Sequence, residues 1–444
     1  MHTGNGMDAV WVNDAQMPRF PRLEGDLRTQ VLVVGGGLAG ILCARELNRA
    51  GVDCVLIEEN RLMSGVSGRT TAKLTSQHGL IYSKLLKKLG KDRTLLYWQA
   101  NRDAVAAFRA LAQEADCDFS VQTNYIYETG GTEKLEKEMA AYEQLGIPAR
   151  WEKHLPLPFP VAGALGFAQQ GQFHPLKLAA HIANGLKIYE NTKALAFLGN
   201  QVQTPKGSIT AEKIIVATHF PLLNKHGAYF LKLYQQRSYV IALENPDRVE
   251  GMYLDCAENG LSVRGAGELL LLGGGGHRTG KQGAGWQLPE TVAKQYYPGA
   301  RIAARWATQD CMTLDGMPYI GQYSRSTPGL YVATGFQKWG MSTSMAAAMI
   351  LSDLVQGREN PYASLFSPAR SLLHKQLLLN GVETTVNLLR PTTPRCPHLG
   401  CALQWNEREH SWDCPCHGSR FGQDGKLLNN PATDGLKNPP SPEK

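Results

Sequence analysis

The sequence predicts an α/β chain, with a large body headed by a nucleotide-binding unit and a small tail that has chemistry of its own. Three observations carry this. Residues 29–60 read strand, Gly-rich turn, helix, strand. Helical and strand-like stretches then alternate as far as residue 355. Four of the nine cysteines, Cys396, Cys401, Cys414 and Cys416, are gathered beyond residue 395.

The bulk properties narrow the function classes. The 444 residues, 43% of them hydrophobic, suit a large domain with a smaller one, or two to three modules. The net charge is +7, from 46 basic and 39 acidic residues spread along the chain. That is not the basic stripe of a nucleic-acid surface, so no nucleic-acid partner is expected. The first twenty-five residues hold no apolar run of the secretory kind. The most apolar helical stretch, "MAAAMILSDLV", is too short to span a bilayer. A cytoplasmic protein without a membrane span is expected. Cys43, Cys54, Cys117, Cys256 and Cys311 are scattered singly and read as small buried hydrophobes.

The first element is the most informative in the body. In "VLVVGGGLAGILCARELNRAGVDCVLIEEN" the fingerprint Gly35-x-Gly37-x-x-Gly40 joins an apolar strand to a helix, and Glu58 follows at the end of the next strand. Gly35 permits the tight turn, Gly37 lets a pyrophosphate approach the backbone, and Gly40 lets helix and strand pack closely. The helix N-terminus faces the phosphates, and Glu58 can accept from a ribose hydroxyl. Residues 81–118 then show helical periodicity, with further helices at 132–145 and after "QFHPLKLAAHI"; residues 186–275 are strand-rich. A strand–loop–helix unit spans 329–355, and an amphipathic helix ("ARSLLHKQLLLNGV") with "RPTTPR" reads as a linker. The divisions expected are 1–360, a helical linker 361–394, and a module at 395–444.

The fingerprint alone does not separate NAD from FAD. Three later stretches do: "RLMSGVSGRTTAKLTSQH" (61–78), "AEKIIVATHFP" (211–221) and "ATGFQKWGMS" (333–342). Together they resemble the D-amino-acid oxidase and glycine oxidase superfamily of flavoproteins, over about residues 9–360. The resemblance implies FAD, held in a doubly wound FAD-binding domain with an interleaved antiparallel-sheet substrate domain. It implies that Arg69, Thr70, Thr71 and Lys73 line the flavin and that Gln337, Lys338 and Trp339 contact it at the start of the late helix. His78 falls in the loop where some relatives attach flavin covalently; a hydrogen-bonding structural histidine is the plainer expectation. In "QQRSYVIAL", Arg237 and Tyr239 share one face of a strand. The family often places such a pair near the substrate carboxylate, and His277 with Arg278 after "GGGG" is expected to face the same cavity. Arg237, Tyr239 and His277 are thus the expected catalytic residues.

The tail carries Cys396-x-His398 and, after fifteen intervening residues, Cys414-x-x-His417. Two Cys/His pairs on two loops match the ligand set of a [2Fe–2S] centre with two thiolates on one iron and two imidazoles on the other. Zinc sites use C-x2–4-C with H-x3–5-H, a pattern absent here, and a plain disulfide framework leaves the histidines unexplained. "CPHLGC" and "CPCHGS" resemble the Rieske module of cytochrome bc complexes. That resemblance implies a small all-β cluster-binding module, with Cys396, His398, Cys414 and His417 as ligands and Cys401–Cys416 as a disulfide clamping the two loops. Ser419 matches a residue that tunes the cluster. Phe421 stands where high-potential members carry tyrosine, which implies a lower potential. His410, in the connection "NEREHSW", is expected to be exposed. Little sequence precedes the first ligand loop, so the module looks shortened and in need of cover from the body.

Taken together, these features predict a flavin-dependent oxidoreductase acting on an amino acid or secondary amine by hydride transfer to FAD. The cluster would relay single electrons to or from an external partner. Two alternatives stay open: a reductase with electrons running from cluster to flavin, and a redox-sensing protein without turnover. The D-x-x-H-x4-H pattern of a Rieske oxygenase's mononuclear iron site is missing.

Overall fold

The computed structural model describes residues 8–223, 226–244, 248–370 and 394–437. Most of the expected linker (371–393), including its amphipathic helix, lies outside the described residues.

Three sheets organise the chain. The first has eight strands, in the order β16 (Tyr319–Gln322), β17 (Leu330–Thr334), β10 (Gly207–Val216), β1 (Leu27–Val34), β2 (Cys54–Ile57), β7 (Lys187–Tyr189), with the hairpin β8 (Ala196–Leu198) and β9 (Gln201–Thr204) off β10. β1 runs parallel to both β2 and β10. Its buried run Val31–Val34, like all of β2, is continuous rather than alternating, as a strand covered on both faces requires. Helices α2 (Leu38–Arg49) and α9 (Gly340–Val355) pack on one face, with α4 (Lys91–Gln113) against α9. The small residues Ala346, Ala347 and Ala348 of α9 permit close approach. Leu38, Ile41 and Leu42 of α2 are fully buried, each burial being worth ~1.5–3 kcal/mol. The opposite face carries a second core that includes Leu32, Val34, Val202 and Phe220.

The second sheet has nine strands, in the order β15 (Arg301–Thr313), β11 (Leu233–Glu244), β14 (Leu269–Arg278), β13 (Ser262–Ala266), β12 (Met252–Asp255), β4 (Ser120–Glu128), β6 (Gly163–Gln172), β3 (Lys73–Leu74), with β5 (Arg150–Glu152) on β6. Its strands alternate in sequence with those of the first sheet, so the two domains are interleaved. Pairing is antiparallel except between β12 and β4. On its outer face, Tyr239, Ile241, Leu243 and Trp286 form a core under α8 (Gln287–Tyr296).

The helical region 81–118 is two helices. Gly90, at φ +77°, ends α3 (Tyr82–Leu89) and precedes α4. The other helices are α1 (Trp11–Asp14), α5 (Glu133–Leu145), α6 (Pro175–Ala183), α7 (Tyr229–Lys232) and α10 (Ala363–Phe366). Among the described residues, no helix is long and apolar enough to cross a membrane.

The tail is a four-stranded antiparallel sheet: β18 (Gln404–Asn406), β19 (Ser411–Asp413), β20 (Arg420–Gly422) and β21 (Leu427–Asn429). Its core is small, with Leu403, Trp412, Phe421 and Ala432 around the four cysteines. One ligand loop precedes β18, and the other joins β19 to β20.

Candidate active site and cluster site

A cavity of about 1170 Å³ runs from the β1–α2 turn to the inner face of the second sheet. The turn is built for close approach. A Cβ on Gly35 (φ +114°) would lie 2.6 Å from the Ala217 carbonyl oxygen, and one on Gly40 would lie 1.9 Å from that of Gly35. Glu58, at the cavity wall, accepts from the Gly36 and Asn60 amides at 2.7 and 2.8 Å; burial raises its pKa. Arg69, Thr70 and Thr71 line the same cavity. Arg69 donates to the Ser64 carbonyl, and Thr70 accepts from the Ala72 amide through its hydroxyl and from Trp11 through its carbonyl.

The turn before α9 holds Gln337 and Lys338 at φ +55° and +70°. Left-handed non-glycine residues cost ~1–3 kcal/mol each and cluster at functional sites. Gln337 is tied to the Thr313 carbonyl and hydroxyl, Lys338 lies near Asp310, and Trp339 stacks on His78 with ring centres 4.9 Å apart. His78 is a hydrogen-bonded core histidine: Nδ1 meets Tyr97 at 2.7 Å and Nε2 meets Thr75 O and Ser342 at 2.9 Å, and burial lowers its pKa to about 3.

In the tail, Cys396 and Cys414 lie thiol to thiol. The hydrogen bond from Cys414 lowers Cys396 to about 7, while the same contact raises Cys414. The His398 and Leu399 amides approach the Cys396 sulfur, and those of Cys416 and His417 approach Cys414, a backbone cradle for thiolates. The His398 and His417 rings stand perpendicular, 5.1 Å apart. His417 is buried, and among the described residues neither of its ring nitrogens has a side-chain hydrogen-bond partner. Burial lowers its pKa to about 3, which leaves the imidazole neutral, the form a metal ligand needs. Two thiols and two imidazoles so arranged fit a cluster with both cysteines on one iron and both histidines on the other. Cys401, Cys414 and Cys416 also form a tight group, but Cys401 and Cys416 are joined in a disulfide, so Cys414 alone of these has a sulfur to offer. Ser419 reaches the Cys396 sulfur and accepts from the Ala432 amide. Phe421 is fully buried, and His410 is exposed.

Residues 30–354 match the FAD dependent oxidoreductase family (DAO), and residues 371–440 match the Rieske [2Fe-2S] domain. This chain is a DAO-family FAD-dependent oxidoreductase with a Rieske domain. It is 34% identical to YhfW of Bacillus subtilis (strain 168), described as a Rieske 2Fe-2S iron-sulfur protein, over 97% of each chain. Gamma-glutamylputrescine oxidoreductase of Escherichia coli (strain K12) is 26% identical over 76% of this chain and 86% of its own. Among solved structures, glycine oxidase from Geobacillus kaustophilus superposes with a TM-score of 0.66 at 21% identity, over 78% of this chain and all of that one. The DAO domain binds FAD and the Rieske domain binds a [2Fe–2S] cluster.

Of the three expected catalytic residues, Arg237 and His277 are not among those that line the cavity, and Tyr239 borders it with its hydroxyl given to Glu409. β11 alternates, and Arg237 and Tyr239 share a face as predicted, but it is the outer face. There Glu409, from the β18–β19 connection of the Rieske domain, takes both. Arg237 donates to it through Nε at 3.0 Å and through Nη2, and Tyr239 donates at 2.9 Å. His277 stacks on Tyr239 with centres 5.6 Å apart. The side chains that β11 turns inward are Tyr234, Gln236 and Ser238, which line the cavity with Asp310. Tyr239 adds to the cavity wall, yet its hydroxyl belongs to Glu409. Periodicity of two places residues on one face without saying which face is inward.

The outer face is therefore a docking surface. Arg420 also donates to Glu409, at 2.9 Å, and holds Asp413 at 2.9 Å, closing a buried set of two cations and two anions. Burial raises the Glu409 pKa, but Arg237 and Arg420 outweigh this and hold it at about 2. Arg278 donates to the Pro415 and Cys416 carbonyls rather than into the cavity. Gly280 lies so close to the ligand loop that a Cβ would come within 2.4 Å of Pro415 N. Gln235 donates to the His417 carbonyl at 2.9 Å and to Asn430 O at 2.8 Å, and Gln309 donates to Gly418 O at 2.9 Å. His398 and His417 pack against Phe220 and Phe230. Gln235 also meets His219 Nε2 at 3.1 Å, and His219 lines the cavity. The body thus covers the ligand-loop side of the Rieske domain.

Proposed function

We propose that the protein oxidises an amino acid or secondary amine at its FAD and exchanges the electrons singly, through its own Rieske cluster, with an external partner. The observation that carries this is the seating of the ligand loops: the cluster histidines face Phe220 and Phe230, and one glutamine, Gln235, bridges the His417 backbone to a residue of the flavin cavity. When bound, FAD supplies a two-electron acceptor and the cluster a one-electron carrier.

The chain's residues divide the remaining work. Gly35, Gly37 and Gly40 would cradle the pyrophosphate, and Glu58 would accept from the ribose. Arg69, Thr70, Thr71, Gln337, Lys338 and Trp339 border the space left for the flavin. Cys396, His398, Cys414 and His417 would hold the cluster, clamped by Cys401–Cys416. Tyr234, Gln236 and Ser238 would orient the substrate, with the antiparallel sheet above it to exclude water. Arg237, Tyr239 and His277 hold the Rieske domain in place through Glu409 and act on the chemistry only by positioning.

The test is anaerobic mixing of the purified protein with a panel of D-amino acids, N-methyl amino acids, imino acids and polyamine conjugates, followed by flavin absorbance and by EPR. Bleaching of the flavin with appearance of the reduced-cluster signal supports the reading. A panel that bleaches nothing contradicts it and favours the sensing role.

A further inference from the structure

The cavity holds a cation whose partners, among the described residues, are all neutral. Lys73, on the two-residue edge strand β3, extends under the second sheet, where its ammonium donates to the Tyr253 carbonyl at 2.8 Å and to the Ser262 hydroxyl. It lines the cavity. Three other basic groups around the same space have acids: Arg61 pairs with Glu190, Lys193 with Glu59 at 3.1 Å, and Lys338 lies near Asp310. Asp255 and Glu258 line the cavity too, but neither forms a salt bridge with Lys73, and Asp255 accepts from the Ala257 amide instead.

An ammonium has three donors, and two are used here. Burial, with Arg264 nearby, lowers the Lys73 pKa to about 7. A buried charge without a counter-ion is costly, and the cost is relieved when an anion arrives. There is room for one. Lys73, Ser262, Gly273 and Gly274 all border the open cavity, and Ser262 pairs across the sheet with Gly273, which has no side chain to fill it. The position foreseen for carboxylate recognition, Arg237, is already neutralised by Glu409 on the opposite face.

We infer that Lys73 is the anion-binding group of the substrate cavity and that it takes a carboxylate of the substrate through its third donor. The substrate is then an amine that also carries a carboxylate, and a neutral amine of the same shape is a poor ligand. This rests on the flavin-oxidoreductase reading, since it names the residue that selects the substrate of that same site.

The experiment titrates the FAD-loaded protein with benzoate and with benzamide, reading perturbation of the flavin absorbance. The variants are Lys73→Met, Lys73→Arg, Ser262→Asp and, as a control at the exposed rim, Lys84→Met. A charge-assisted hydrogen bond is worth enough to make benzoate bind about tenfold or more weakly to Lys73→Met. Benzamide should be unaffected, Lys73→Arg should restore most of the benzoate affinity, and Lys84→Met should match wild type. Ser262→Asp supplies an internal carboxylate to Nζ, so it should weaken benzoate in the same way even if Lys73→Met fails to fold. Equal affinity of wild type for benzoate and benzamide, or undiminished benzoate binding in Lys73→Met or Ser262→Asp, overturns the assignment. A protein that prefers benzoate but is bleached by no amine keeps Lys73 and overturns the amine-oxidation reading instead.

Discussion

The two faces of β11 meet different parts of the molecule. Inward, Tyr234, Gln236 and Ser238 border the flavin cavity; outward, Gln235, Arg237 and Tyr239 bind the Rieske domain. One strand with a side-chain period of two is thus a wall shared by the large cavity and the Rieske domain. The lesson is that charge on a strand near a cavity need not belong to the cavity. The outward charges are paired and buried against another domain, whereas the inward polar groups are neutral and open to a ligand.

Substitutions on the two sides should separate cleanly, and the largest effect is at the cluster. Cys414→Ala should abolish the EPR signal of the reduced cluster and leave FAD bound; loss of both together would mean the sites are not separately held. Next is the docking clamp. Glu409→Gln leaves Arg237 and Arg420 without their shared anion, and breaking such a buried pair costs ~3–5 kcal/mol. It should lower the thermal midpoint and expose the tail to protease without changing benzoate binding. If ligand binding falls as well, the two faces are coupled more tightly than described.

The pH dependence of that clamp has a defined sign. The Glu409 pKa is lowered from 4.5 to about 2, so its contribution is complete above the ordinary value and is lost as pH falls toward 2. The midpoint difference between wild type and Glu409→Gln should be flat from pH 8 to 5 and shrink below 4.5. A difference that grows in acid would contradict the assignment. The smallest effect is at Ser419: Ser419→Ala removes one hydrogen bond to the Cys396 sulfur and should lower the cluster potential by on the order of 60 mV, with flavin potential unchanged. Phe421→Tyr should move it the other way, read by redox titration.

What was legible in the sequence were contiguous motifs whose chemistry is local. Gly35, Gly37, Gly40 and Glu58 could be read because turn, helix start and acid follow one another in a single βαβ unit. The Cys/His pairs could be read because spacing within each loop sets the ligand geometry. The break of one helical region at Gly90 was missed, although a glycine at its centre was visible. Arg237, Tyr239 and His277 were misplaced because alternation does not say which side of a strand a distant domain will cover. Glu409 was passed over in an ostensibly variable connection, since its partners lie about 170 residues away. Lys73 was visible as a polar residue in a flavin-facing loop, but its lack of an acidic partner is a tertiary fact.

The central claim is that the cluster is seated on the flavin body of its own chain for electron exchange. The direct measurement is flash reduction of the anaerobic protein with deazaflavin, following flavin absorbance and the cluster band at several protein concentrations. The account predicts a flavin–cluster equilibration phase whose rate is independent of concentration and slowed in Glu409→Gln. A rate proportional to protein concentration, or one untouched by Glu409→Gln, would contradict it.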